Sequence, residues 1–306
     1  MMKAYTRRSK LLSSGLLLAL CASMNASMAS PAARQDAPPE ETEGEVKRLA
    51  EWPSVDNKAA KFELERLRKA RTQEMGEQGQ DALIKIGAGS APFLLAKYGK
   101  EKDKLALQRM TEVLETVTGP AHTRLLAEYF TDKDLATRVW CLKRVALFAD
   151  PGVSAAAEKA YAAADKRKRN RDKEEVYAAA ACCASSGSFT GFELLCKDSA
   201  KNWKKHGTIT HTALTSLRGA EATKRIAPLF EGADRAGKVA ALHLLAACGD
   251  KEAATSLVAP LLDSTDNSLR VGAINALRGI IDGDPPLPRL PVFEAIERAN
   301  KWKTRV

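Results

Sequence analysis

From Asp56 onward, the apolar residues recur three or four positions apart, as at Ala60, Leu64 and Leu67, which is the spacing of an amphipathic helix. Helical stretches of this kind alternate with short turns that contain Gly, Asp or Pro. The turns lie at residues 87–89, 118–120, 150–152, 186–188, 218–219, 249–250 and 282–285. The pattern predicts an all-α protein built of many short helices with short connections.

Some of these stretches are copies of one another. Residues 226–230 (Ile-Ala-Pro-Leu-Phe) recur 32 positions later as residues 258–262 (Val-Ala-Pro-Leu-Leu). A more distant copy, residues 134–150, matches residues 266–282 at an offset of 132, about four repeats. A partial copy lies at residues 82–94. A recurring period of this length indicates a helical repeat protein.

The Asp-x-x-x-Arg-Val motif that begins at Asp266, together with the Ala-x-Pro-x-Leu elements, resembles HEAT or HEAT-like repeats over roughly residues 80–283. The resemblance implies an α-solenoid of about seven antiparallel helical pairs over residues 56–303. One helix of each pair would face outward and the other would line a concave surface. Each pair would bury its apolar stripe only against its neighbours.

The resemblance also implies structural roles for the Asp and Arg of the motif. The Asp would cap free N–H groups at a helix start, and the Arg would pair with Asp residues of neighbouring repeats in a ladder. The residues expected in this ladder are Asp134, Arg138, Asp266 and Arg270. At Asp234 the sequence departs from the motif, because Gly237-Lys238 follows it.

The first 29 residues have the three parts of a secretory signal peptide. A basic start is followed by the apolar residues 11–22 and by small residues up to Ala29. The apolar run is shorter than the roughly 20 residues that span a bilayer. We therefore predict cleavage after Ala29 and export to the periplasm or the extracellular space. Twin-arginine export through Arg7-Arg8, an uncleaved anchor and a lipoprotein at Cys21 are the alternatives.

Residues 30–55 are rich in Pro, Ala and Glu and contain few large apolar residues. Such a segment buries too little surface to offset its ordering entropy. We predict a linker here, with a short helix around Val46 to Trp52. The repeat domain follows at residues 56–303.

Composition supports a helical protein and changes the interpretation of its charge. Of the 306 residues, 45% are hydrophobic and only 6% aromatic, whereas strands favour β-branched and aromatic residues. The chain has 48 Lys and Arg against 38 Asp and Glu, a net charge of +10. Loss of the four cations in residues 1–29 would leave 44 against 38, or +6. The overall charge is therefore weak evidence for a nucleic-acid partner.

Five cysteines follow the predicted signal peptide, which leaves at least one thiol without an intrachain disulfide partner. They are Cys141, Cys182, Cys183, Cys196 and Cys248. Apolar or small neighbours favour buried thiols in helix interiors. The alternative is a disulfide that joins Cys196 to Cys182 or Cys183.

The sequence contains no motif for catalysis, for a cofactor or for a metal site. The four histidines, at positions 122, 206, 211 and 243, form neither a His-Glu-x-x-His motif nor a Cys/His cluster. A nucleophile elbow, a phosphate-binding loop and a dinucleotide fingerprint are also absent from the sequence. We predict no catalytic residue, no cofactor, no metal and no enzymatic activity.

Positive charge is concentrated in three segments: residues 166–173, residues 197–206 and residues 301–305. Interleaved Trp and Lys can stack on bases or sugars while they neutralise phosphate or sulfate. The candidate anion-binding residues in the first two segments are Lys166, Arg167, Lys168, Arg169, Arg171, Trp203, Lys204 and Lys205. The alternative for each segment is a solvated helix end.

The sequence favours a non-enzymatic exported scaffold that binds a protein or peptide partner on its concave face. The alternative function is binding of an anionic polymer, either nucleic acid or an acidic envelope polysaccharide, through the basic segments. The identity of the partner and the oligomeric state stay open at this point.

Overall fold

Helices joined by short turns make up most of the described chain. The computed structural model describes residues 46–167, 171–287 and 289–306, and no β-strand occurs in these ranges. The prediction of an all-α protein is confirmed. The predicted signal peptide and residues 30–45 of the predicted linker lie outside the described residues.

The helices are numbered in chain order. They are α1 (Asn57–Arg68), α2 (Gln73–Ile86), α3 (Ala91–Tyr98), α4 (Lys104–Val117), α5 (Thr123–Ala127), α6 (Leu135–Val145), α7 (Ser154–Asp165), α8 (Lys173–Ser185), α9 (Phe192–Leu214), α10 (Ala220–Ile226), α11 (Arg235–Cys248), α12 (Lys251–Ala253), α13 (Asn267–Leu277) and α14 (Val292–Lys303). Helical turns extend α12 as far as Asp263.

Aspartate side chains begin many of these helices. Asp103 accepts a hydrogen bond from the N–H group of Ala106 at 2.8 Å, and Asp172 accepts one from Glu175 at 2.8 Å. Helices α1, α11, α12 and α13 begin in the same way at Asp56, Asp234, Asp250 and Asp266. Each bond satisfies an N–H group that has no partner within its helix. The aspartates that recur along the sequence therefore determine where these helices begin.

Neighbouring helices in the sequence pack together, and one member of each pair also packs against the next pair. The first kind of contact joins α1 to α2, α3 to α4, α5 to α6, α7 to α8 and α10 to α11. The second kind joins α2 to α4, α6 to α8, α8 to α9, α9 to α11 and α11 to α13, and α14 packs on α13. The buried apolar side chains form a core along this series.

Helix α9 bends sharply in the middle and so supplies both members of a pair. Asn202 has non-helical backbone angles, φ −122° and ψ 19°. His206 Nδ1 lies 2.6 Å from Asp198 Oδ2, although the two residues are eight positions apart. Eight residues of straight helix would separate them by about 12 Å. The contact therefore requires the bend at Asn202.

Side-chain hydrogen bonds between helices join residues about one sequence period apart. Gln80 Nε2 donates to Glu112 Oε2 at 2.9 Å across 32 positions. Arg235 Nη2 donates to Ser268 Oγ at 2.6 Å across 33 positions. These separations agree with the 32-residue period of the sequence, so the repeated segments contact one another through corresponding parts of their helices.

Residues 46–55, here called the N-terminal strap, run across the turns that join successive helix pairs. Leu49 N donates to Ala121 O at 2.8 Å, and the Trp52 ring stacks on His122 at 5.6 Å. The strap contains no helix, so the predicted helix at Val46 to Trp52 is wrong. The physical reason is that its backbone and side-chain groups bind to other turns instead of to one another.

The buried side chain of Asp150 holds the strap in place through an ion pair with Arg48. The Asp150 side chain is only 3% exposed, lies 3.3 Å from Arg48 Nε and also accepts a hydrogen bond from Thr123. Arg48 Nη2 further donates to Ala149 O at 2.6 Å. A buried carboxylate needs such a partner, because its desolvation is costly when it is left alone.

Replacement of Arg48 is therefore expected to destabilise the protein. Arg48→Ala should reduce the free energy of unfolding in urea by about 1–3 kcal/mol and should speed proteolytic cleavage within the strap. The matched control is Arg124→Ala, because Arg124 is 58% exposed and lies farther from Asp150, at 3.8 Å. Equal losses in the two variants would contradict the assignment of Arg48 as the anchor.

Candidate functional site

The second helix of each pair presents a set of exposed side chains, which we call the second-helix face. It comprises the exposed residues of α2, α4, α6, α8, residues 203–214 of α9, α11 and α13. Most of these helices contact the next one in the series directly. Between α4 and α6, Arg144 makes the connection, because it donates to the carbonyl oxygens of Glu115 and Thr118.

Three large apolar side chains are exposed in the first turns of consecutive second helices. Met75 of α2 is 37% exposed, Leu105 of α4 is 52% exposed and Leu135 of α6 is 39% exposed. They are spaced 30 positions apart in the sequence. Met75 is the third residue of its helix, Leu105 the second and Leu135 the first, so each of three successive repeats leaves apolar surface available to a ligand in its first turn.

Polar side chains surround Leu105 in a groove of about 290 Å³ between α2 and α4. The groove is lined by Gln73, Glu77, Gln80, Leu105, Gln108, Arg109 and Glu112. Gln80 and Gln108 both donate to Glu112, at 2.9 Å in each case. Amide side chains can both donate and accept, so this lining suits the main-chain groups of a bound peptide.

A polar cluster around Glu174 joins α6, α8 and α9. Lys143 and Lys205 both donate to the Glu174 carboxylate, and His206 Nε2 lies 3.2 Å from it. The His206 ring is buried and stacks on Tyr177 with 3.8 Å between ring centres. Every member of the cluster has a partner, which fixes the relative positions of three second helices.

The charges of this cluster shift the titration of Glu174. Partial burial acts to raise the pKa of Glu174, but the bound ammonium groups of Lys143 and Lys205 outweigh it and lower that pKa from 4.5 to about 2. The carboxylate is therefore ionised at neutral pH and serves as a permanent link between helices.

A second carboxylate, Glu175, pairs with Arg138, whereas the repeat resemblance predicted that Arg138 would pair with an Asp. Arg138 Nε lies 2.6 Å from the buried Glu175, and Arg167 Nη1 lies 2.6 Å from its other oxygen. The predicted pairing of Arg138 with an Asp of a neighbouring repeat is therefore wrong, because the guanidinium of Arg138 binds the Glu175 carboxylate of α8 instead. Asp134 accepts no hydrogen bond from the start of α6, so its predicted capping role is also wrong.

The other half of the predicted ladder forms only in part. Asp266 caps α13 through the N–H group of Ser268 at 2.8 Å and pairs with Arg235 Nε at 2.5 Å. Arg270 instead donates to the carbonyl oxygen of Ser264 at 2.5 Å and makes no ion pair within the described residues. The link between repeats at this point therefore runs through Arg235, the residue after Asp234.

The candidate anion-binding residues do not form one open cationic patch. Arg167 and Lys205 are bound to Glu175 and Glu174, and Arg171 pairs with Asp165 at 2.6 Å. Lys166 and Lys204 are exposed and make no ion pair in the described ranges, whereas Lys168 and Arg169 lie outside the described residues. The basic run of the sequence is thus partly neutralised by carboxylates of neighbouring helices.

Trp203 stacks on a histidine rather than standing free beside the lysines. Its ring lies 4.3 Å from that of His243, with 6° between the ring planes. Burial lowers the pKa of His243 to about 4, with a smaller contribution from His211. A neutral imidazole is therefore part of the packing between α9 and α11.

The third basic segment closes the C-terminal end of the chain. Arg305 Nη2 pairs with Asp282 at 2.6 Å, and its guanidinium lies 4.1 Å from the ring centre of Trp302. Trp302 itself is buried against the core. This arrangement matches the solvated-helix-end alternative for residues 301–305.

All five cysteines of the described chain are buried free thiols. The alternative of a disulfide from Cys196 to Cys182 or Cys183 is therefore wrong for this structure, because all three side chains are free thiols packed in the apolar core. Burial raises the pKa of Cys183, Cys196 and Cys248 to about 12. Within the described ranges, no group of three or more His, Cys, Asp and Glu side chains could hold a metal ion.

Comparison with known proteins finds no match: no family model, no curated protein and no solved structure is similar to this chain. Among the described residues, no helix combines the length and the apolar character needed to cross a membrane.

Glu174, Glu175 and Lys143 are central to the polar cluster between α6, α8 and α9, and the sequence did not predict their role. Lys143 and Lys205 each lie 31 positions from Glu174, so the 32-residue period was the signal that could have linked them. Among the cations of residues 166–173, Arg167 is bound by Glu175, which follows the run in the sequence, and Arg171 is bound by Asp165, which precedes it.

The low pKa of Glu174 predicts a pH-dependent loss of stability. Its ionised form contributes stability above the ordinary pKa of 4.5, and this contribution is lost as the pH falls toward the folded-state value of about 2. Glu174→Gln should cost about 1–2 kcal/mol at pH 7 after allowance for solvent screening, measured by urea unfolding. The difference from the unchanged protein should shrink steadily between pH 4.5 and pH 2.

The matched control is Glu231→Gln, which removes an exposed carboxylate that makes no ion pair in the described ranges. This variant should unfold like the unchanged protein at every pH. A constant difference for Glu174→Gln over the whole range would show that its effect is one of packing and not of charge.

The buried thiols predict slow reaction with thiol reagents. At pH 8 the folded protein should react with Ellman's reagent at Cys141, Cys182, Cys183, Cys196 and Cys248 far more slowly than the protein in denaturant, because these thiols are buried. Rapid labelling of any one of them, located by peptide mass spectrometry, would contradict its burial.

Proposed function

We propose that residues 56–303 form a HEAT-like α-solenoid that acts as an exported, non-enzymatic scaffold and binds a peptide segment of a protein partner. The repeat contacts support the architecture: pairs of helices follow one another, and hydrogen bonds such as Gln80–Glu112 and Arg235–Ser268 join positions 32 and 33 residues apart. Residues 1–29 support export through their signal-peptide pattern.

The observation that carries the proposed binding function is the apolar series on the second-helix face. Met75, Leu105 and Leu135 are exposed in the first turns of three successive second helices. Their burial by a ligand would contribute to affinity at about 25 cal/mol for each Å² of apolar surface removed from water.

The geometry favours an extended peptide. Packed helices such as α2 and α4 are about 8–10 Å apart, and three residues of a polyproline II helix rise about 9 Å. Every third side chain of such a peptide lies on the same face, so apolar residues at that spacing would contact successive repeats. Its main-chain N–H and C=O groups are unpaired and can bond to Gln73, Gln80 and Gln108, which line the groove beside Leu105.

A peptide selection tests this proposal. Peptides selected on the purified full chain should have apolar residues at every third position. Leu105→Ser and Leu135→Ser should each weaken the selected peptides by about tenfold, the loss that corresponds to one large apolar side chain.

The matched control is Phe62→Ser, because Phe62 is an apolar side chain that is 67% exposed on α1, outside the second-helix face. It should leave peptide affinity unchanged. The proposal fails if Phe62→Ser weakens binding as much as the two leucine variants do. It also fails if none of the three substitutions changes the affinity for the selected peptides.

A further inference from the structure

A second groove lies between α8 and the first half of α9, away from the apolar series. Its volume is about 570 Å³, within the range of sites that hold small organic molecules. We call it the α8–α9 groove. It is lined by Tyr161, Arg171, Lys173, Val176, Tyr177, Glu193, Leu194, Lys197, Asp198, Lys201 and Asn202.

Cations outnumber carboxylates in this groove by four to two. Arg171 pairs with the exposed Asp165, whereas Lys173, Lys197 and Lys201 make no ion pair within the described residues. The excess charge comes from Arg171 and Lys173 at the end of one basic segment and from Lys197 and Lys201 in the first half of α9, and the fold brings them together.

One of the two carboxylates is already occupied. Asp198 Oδ2 lies 2.6 Å from His206 Nδ1, and Asp198 Oδ1 accepts a hydrogen bond from Asn202 Nδ2 at 2.6 Å. Both oxygens therefore point to partners within α9. Glu193, at the other end of the groove, is exposed and makes no ion pair in the described ranges.

Buried apolar side chains, held in place by hydrogen bonds, form part of the lining of the groove. Val176 and Tyr177 are buried, and the Tyr177 hydroxyl donates to His206 O and bonds to Thr210 Oγ1, both at 3.0 Å. Tyr161 packs closely on Gly191, where a Cβ atom would lie 2.8 Å from the ring. Apolar walls strengthen the attraction between the lysines and an anion, because they lower the local dielectric constant.

We propose that the α8–α9 groove binds a dianionic phosphate group. The lining offers three lysines that make no ion pair within the described residues, and a phosphate dianion can bind more than one of them. Its several oxygens can accept bonds from ammonium groups on both sides of the groove, from Lys173 on α8 and from Lys197 and Lys201 on α9. The remaining volume, beside Tyr161 and Leu194, accommodates an organic group that carries the phosphate. This site is independent of the proposed peptide-binding surface.

Calorimetric titration of the full chain tests the proposal, with inorganic phosphate and phenyl phosphate as probes in chloride buffer of constant ionic strength. Lys197→Ala and Lys201→Ala should each weaken phosphate binding about tenfold, as expected for loss of one charge-assisted hydrogen bond. Glu193→Gln should strengthen it, because it removes a negative charge from the lining.

The matched control is Lys204→Ala, which removes an exposed lysine of the same helix that does not line the groove. It should change the affinity less than about twofold, because screened surface charges contribute little. Circular dichroism would verify that each variant is folded.

The two probes distinguish the sources of the group. Tighter binding of phenyl phosphate indicates a phosphate ester as the natural ligand, and tighter binding of inorganic phosphate indicates the free ion. Absence of binding by both, or equal losses in the Lys204 and Lys197 variants, would overturn the proposal.

Discussion

The burial of α8 between α6, α7 and α9 is the packing on which the middle of the chain depends. All of its residues from Glu175 to Ser185 are buried, and most of them are alanine or cysteine. Small side chains allow three helices to approach one central helix closely, and such packing tolerates added volume poorly. Tyr177 is the one aromatic side chain of this stretch, and it sets the distance to α9 by stacking on His206.

Burial on every side leaves α8 with one polar end, and that end organises the charges around it. Glu174 and Glu175 stand at the start of the helix, where the helix dipole also favours negative charge. They bind cations that arrive from α6, from the end of α7 and from α9: Lys143, Arg138, Arg167 and Lys205. The ion pairs form where four chain segments meet, so they position the helices relative to one another.

Much of the fold could be predicted because its signals are local. Apolar spacing, capping aspartates and Gly or Pro turns act within a few residues, and they predicted an all-α chain with short connections. The bend at Asn202 carries no such signal, since neither Gly nor Pro stands there. It is stabilised by contacts of His206 with Asp198, Glu174 and Tyr177, two of which come from another helix. A break of this kind is decided by tertiary contacts and is invisible in the local pattern.

The charges of the candidate sites also depend on tertiary contacts that the local sequence does not show. A run of cations such as residues 166–173 shows where positive charge lies, but not how much of it is neutralised, because the fold decides whether flanking acids such as Asp165 and Glu175 pair with it. The bend in α9 decides this for the α8–α9 groove. In a straight helix, Asp198 would have no contact with His206, and its carboxylate would be free to pair with Lys201, three positions farther on. The bend brings His206 to Asp198 instead, and Asn202 takes the remaining oxygen. The contact that shapes α9 therefore also leaves Lys201 without its nearest carboxylate partner.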